Sequence, residues 1–158
     1  MKIRFLRAVA ALFLFGSFSA VFADGVMVSD PWVRAAPPNA PALAAFMTLE
    51  NHGGADVALV EVRGPAELGR VEMHRTSMAD GMMKMVQQQN IPVAAHSSTV
   101  LKPGSWHIMM IGPKKVPSAG EQVRLTLVFS DGSEQMVMAG VRRGGMMMKD
   151  GGHQMMRH

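Results

Sequence analysis

Along Val123-Arg124-Leu125-Thr126-Leu127-Val128-Phe129, apolar residues fall on every second position, so Val123, Leu125, Leu127 and Phe129 share one face of an extended strand. Asp131-Gly132 then forms a turn, and Gln135–Ala139 reads as the returning strand of a hairpin. The same texture of short β-like runs between turn residues fills most of the chain. The pattern predicts strands at Met27–Ala35, Leu43–Glu50, Val57–Val62, Arg70–Thr76, Met82–Gln87, Thr99–Leu101 and His107–Ile111. Pro37-Pro38, Asn51-His52-Gly53-Gly54, Asp80-Gly81, Pro103-Gly104 and Gly112-Pro113 punctuate them. Regular spacing of this kind predicts an all-β sandwich or barrel. No stretch beyond the N-terminal segment holds a helical period over three turns.

The two ends break the pattern. The chain opens MKIRFLRAVAALFLFGSFSAVFA, with Lys2, Arg4 and Arg7 ahead of an apolar run at Ala8–Phe18 and small residues at Val21-Phe22-Ala23. This reads as a signal peptide over residues 1–23, cut after Ala23, because the run is short for a membrane span. From Arg142 the chain reads RRGGMMMKDGGHQMMRH, which offers no face to bury and is expected to be a flexible tail over residues 142–158. One domain, residues 24–141, lies between them.

Charge follows this division. The whole chain carries +4, but residues 24–141 hold nine basic and eleven acidic residues, and the excess sits in the leader and tail. Nothing in that balance suggests a nucleic-acid surface. The chain has no cysteine, which excludes thiolate catalysis, thiolate metal sites and disulfide support. It has no tyrosine either and no acid–base pair at a recognisable spacing, so an enzyme is not expected.

Methionine is the anomaly: there are 17, five of them in the stretch MHRTSMADGMMKM at residues 73–85. On a strand period, His107 and Met109 share one face while Trp106, Ile108 and Met110 take the other, as core candidates. Likewise Val71 and Met73 face the core, and Glu72 and His74 point outward. Beyond Asp80-Gly81, Met83 and Met85 share a face. Imidazole with thioether is a soft donor set that selects Cu(I). Thioethers do not titrate, and a blue-copper electron-transfer site would require a cysteine.

The order His74, ten residues, Met85, twenty-one residues, His107, one residue, Met109 resembles the copper signature of periplasmic copper chaperones of the PCuAC type. Asp30-Pro31-Trp32-Val33-Arg34, Asn51-His52-Gly53-Gly54-Ala55-Asp56 and Asp80-Gly81-Met82-Met83-Lys84-Met85 are similar to that family as well, and the resemblance covers about Val26 to Ala139. It implies a cupredoxin-like Greek-key β-barrel with one Cu(I) near the surface on His74, Met85, His107 and Met109. It also implies periplasmic delivery toward the CuA centre of cytochrome c oxidase, with a Sco-type thiol protein or the CuA-bearing subunit as partner. The second expectation is a periplasmic copper-sequestering protein. Met83 is a candidate outer donor. In the tail, Met146, Met147, Met148, His153, Met155, Met156 and His158 are candidates for Cu(II) or a second Cu(I).

Overall fold

The computed structural model describes residues 25–144. The expected leader and most of the expected tail, with its seven candidate donors, lie outside the described residues. Ten strands follow in order: β1 Val26–Arg34, β2 Ala42–Asn51, β3 Val57–Arg63, β4 Arg70–Ala79, β5 Met82–Gln88, β6 Ile91–Val93, β7 Ser97–Leu101, β8 Trp106–Ile111, β9 Gln122–Phe129 and β10 Glu134–Arg142. Among the described residues the helical content is a single 3₁₀ turn at Ala66–Leu68. The protein is all-β, as its alternating pattern predicts.

The strands pair in the order β5-β4-β8-β2-β1-β10-β9-β3-β6, with β7 also on β2. β7 and β8 share one edge of β2: Ala42–Ala45 pairs with β8 and Met47–Asn51 with β7. The β1–β10 pair is parallel, and the other pairs are antiparallel. This long, twisted sheet wraps one core. Val33, Leu49, Leu59, Ile91, Val93, Ile108, Met110, Leu125 and Leu127 are fully buried in it, and Met73 joins them from β4. Burying such side chains supplies the folding free energy of a chain with no disulfide, at about 25 cal/mol per Å² of apolar surface.

β5 contributes nothing to that core. All but one of its residues are exposed on both faces, and it is held by its ladder to β4 alone. Asp80 and Gly81 carry positive φ, 53° and 74°, as a two-residue type I′ hairpin turn requires.

Besides small shifts at strand ends, two features differ from expectation. β6 went unpredicted because Ile91-Pro92-Val93 is three residues long and contains a proline, which reads as a break. Proline is tolerated there because β6 is the outermost strand, pairing with β3 only. β10 runs on to Arg142, which pairs in register with Arg34, and the Arg142 guanidinium grips the Asp30 carboxylate at 3.0 and 2.7 Å. Arg142 therefore belongs to the barrel and not to the tail.

Candidate metal centre

The β4 strand lies between β5 and β8, and both ladders fix which side chains share its face. His74 is directly opposite His107, and Glu72 opposite Met109. On the other side Thr76 is opposite Met85, and Met78 opposite Met83. Opposed residues in an antiparallel pair project to the same face. His74, Met85, His107 and Met109 thus stand on one face of the β5-β4-β8 sheet, the face turned away from Met73, Ile108 and Met110. Four residues scattered over 36 positions of sequence become neighbours through two registers.

Local chemistry sets these registers. Lys102-Pro103-Gly104-Ser105 closes β7 onto β8 through a Ser105 N–H to Lys102 carbonyl bond of 3.0 Å, with Gly104 at φ 79°. Proline followed by glycine is the type II signature. The Ser105 carbonyl then accepts from the Thr76 amide at 3.1 Å and from His107 Nδ1 at 2.9 Å. At the other end, Gly69 passes so close to the Ile111 and Gly112 carbonyls that a Cβ there would collide with them.

The face is not the solvated surface that alternation predicted. His107 is only 4% exposed, and the His74 side chain 14%. The reason is a second, smaller apolar layer outside the main core. Phe46 of β2, 2% exposed, packs 6.4 Å from the His107 ring and 4.6 Å from Trp32. A register shift between Ser29 and Trp32 places Trp32 directly opposite Phe46. Arg34 lies over Phe46 and Arg142 over Trp32, at 5.6 and 4.6 Å from the ring centroids. Trp106 takes the core side, as expected, and the Arg75 guanidinium covers it at 4.9 Å.

The hydrogen bonds assign a tautomer to each histidine. His107 Nδ1 meets a carbonyl, which only accepts, so Nδ1 carries the proton and the lone pair is on Nε2. Burial, partly countered by that hydrogen bond, lowers the His107 pKa from 6.5 and keeps the ring neutral. His74 Nε2 donates to Glu72 Oε2 at 2.8 Å, which leaves the lone pair on Nδ1. Glu72 is held ionised by His74 and by Arg70, which lower its pKa. Of the three buried side-chain polar atoms that lack a partner among the described residues, two are His74 Nδ1 and His107 Nε2. Buried polar atoms are rarely left unpaired, so two lone pairs in adjacent rings call for an electrophile.

The ring centroids lie 5.9 Å apart. Taking an imidazole–metal bond of about 2.0 Å, the zinc value, two rings at this separation can share one ion. Met109 and Met85 flank the pair with neutral sulfur, Met109 half-buried and Met85 55% exposed. Half of the donor set is therefore enclosed, and one thioether is open to solvent.

Glu72 escaped sequence reasoning as a partner, although its place two residues before His74 puts both on one face. His52 and His96 lie elsewhere, lining a cleft with Glu50 and Asn51 beyond the other end of β2. The tail candidates are outside the described residues.

Comparison with known proteins follows the same span. Residues 26–141 match the LpqE-like lipoprotein family. The lipoprotein Lxx21020 of Leifsonia xyli subsp. xyli is 35% identical over 121 residues, covering 76% of this chain and 71% of that one. Protein RP573 of Rickettsia prowazekii is 30% identical over 95 residues, covering 60% of this chain and about half, 52%, of its own length. Among solved structures, Cu(I)-bound DR1885 from Deinococcus radiodurans is 30% identical with a TM-score of 0.56, covering 77% of this chain and 83% of that one. The copper-bound PCuAC domain from PmoF2 superposes with a TM-score of 0.63 at 21% identity, over 75% of this chain and 92% of that domain, a likeness of fold. Matched from β1 to β10, the chain belongs to the LpqE-like family, of PCuAC type, and has its cupredoxin-like fold.

Proposed function

We propose that this protein is a copper carrier that binds one Cu(I) through His74 Nδ1, His107 Nε2, Met85 and Met109, and is not an enzyme. The observation that carries this reading is the pair of buried, unpartnered imidazole nitrogens flanked by two thioethers on one face. Soft neutral donors favour Cu(I). The arrangement also suits release: His107 is shielded by Phe46, whereas Met85 stands in solvent where an incoming ligand can displace it. The copper named for the DR1885 and PmoF2 structures supports the same ion.

The place and partner follow the family reading. An exported carrier, released after Ala23 into the periplasm, would deliver Cu(I) toward the CuA centre of cytochrome c oxidase, to the CuA-bearing subunit or through a Sco-type thiol protein. The lipoprotein character of the family agrees with export. Among the described residues no helix is long and apolar enough to cross a membrane.

Residues 145–158 extend this reading. The last described residues leave the barrel beside the metal face, with Gly144 against Arg34 and Arg142 over Trp32. Met146, Met147, Met148, Met155 and Met156 with His153 and His158 would add capacity for Cu(II) or a second Cu(I). A tail rich in such donors also favours a second reading, in which the protein sequesters copper. Deleting the gene separates the two: lost oxidase assembly marks delivery, and copper sensitivity with intact oxidase marks sequestration.

A further inference from the structure

Four methionines of the β4–β5 hairpin have no packing role: Met78, Met82, Met83 and Met85 are 68%, 61%, 67% and 55% exposed. Elsewhere in the barrel Met47, Met73 and Met110 are buried, and the exposed Met27, Met136 and Met138 are scattered over β1 and β10. β5 meets no core, so hydrophobic burial does not explain thioethers there.

Their register does. Met78 and Met83 are direct cross-strand partners, and they project to the face that carries His74. Opposed Cβ atoms in such a pair are about 4.5–5.5 Å apart. Met85 follows Met83 by one strand repeat on the same face, about 7 Å further toward the histidines. Methionine has three rotatable bonds beyond the backbone, so three sulfurs at these positions can converge on one ion. The charged side chains stay clear: Lys84, between Met83 and Met85, projects to the opposite face, and its ammonium reaches the Asp80 carboxylate at 3.4 Å.

We infer that Met78, Met83 and Met85 form a second, weaker Cu(I) site at the hairpin tip, an all-thioether station through which the ion enters and leaves the four-donor site. The inference rests on the Cu(I) reading and deepens it. Met85 belongs to both sets, so the ion moves by exchanging ligands around one shared sulfur, with no change in oxidation state. The direction of loading follows from the donors. The tip has thioethers alone, while the inner site adds two imidazoles whose lone pairs are already oriented, so the inner site fills first at equilibrium.

The test is a titration of the full-length protein, labelled with carbon-13 at the methionine methyls, with Ag(I) as a redox-inert stand-in for Cu(I). The first equivalent should shift the Met85 and Met109 methyls. Residues 145–158 compete for later equivalents, so Met78 and Met83 should shift together over the equivalents that follow, in faster exchange. A Met78→Leu, Met83→Leu variant keeps the hairpin's apolar character. It should retain the first-equivalent response and affinity, lose the second response at the hairpin, and take up the first equivalent more slowly. Met78 and Met83 methyls that stay put through every later equivalent, while Met85 and Met109 respond to the first, overturn the station and leave the four-donor reading standing. Silence of Met85 and Met109 at the first equivalent overturns both.

Discussion

His74 and His107 stand directly opposite each other on β4 and β8, rings 5.9 Å apart, each held by one nitrogen while the other has no partner among the described residues. An unpaired buried nitrogen costs stability that only a ligand recovers. Replacing His107 by Phe removes that burden, adjoins Phe46, and gives up one bond to the Ser105 carbonyl. The apo variant should unfold within about 1 kcal/mol of the parent, on either side. Its Cu(I) affinity should fall by more than the roughly 10–100-fold typical of losing an outer partner. Chemical denaturation and chelator competition on the same preparation check both.

Glu72 governs His74 from outside the donor set. Its carboxylate holds the Nε2 proton and so directs the Nδ1 lone pair toward the metal face. Glu72→Leu should mix the His74 tautomers in the apo protein and weaken Cu(I) binding by about 10–100-fold. Glu72→Gln keeps an acceptor oxygen and should recover much of the loss. Long-range nitrogen-15 correlation spectra report the tautomer directly. An unchanged tautomer in the leucine variant would show that the carboxylate does not set it.

The pH dependence of apo stability has a defined sign. Burial lowers the folded-state pKa of His107 from 6.5. Above that value the ring is neutral in both states and adds no slope. As pH falls below it, the unfolded chain takes up a proton that the folded chain refuses, so stability drops until the folded pKa is passed. The stability of the parent relative to His107→Phe should therefore decline between pH 7 and pH 5, as urea midpoints across the series would register.

Phe46 packs between Trp32 and His107. Truncation to Ala should cost about 3–5 kcal/mol. It should also open His107 to water, raising its pKa toward the ordinary imidazole value, which histidine proton shifts followed against pH would detect.

Much of this was legible in the alternation of β4, β8 and β9. The face shared by His107 and Met109, the core role of Met73, Ile108 and Met110, and the Asp80-Gly81 turn follow from a period of two. What alternation does not contain is the environment of each face. His74 and His107 do point away from the core, but they are not exposed, because Trp32 and Phe46 form a second layer. That layer depends on the bulge at Asp30-Pro31 and on the β1–β2 register, both long-range facts. Glu72 was missed for a different reason: a carboxylate beside a histidine becomes a partner only through rotamers that spacing leaves free. β6 was hidden by Pro92, harmless on an outermost strand.

The four-donor site is tested most directly by X-ray absorption at the copper edge on the protein loaded with one equivalent of Cu(I). Two imidazole nitrogens and two sulfurs should surround the ion, with a sulfur lost in Met109→Leu and an imidazole lost in His107→Phe. A shell without sulfur, or one unchanged by both substitutions, would contradict that site.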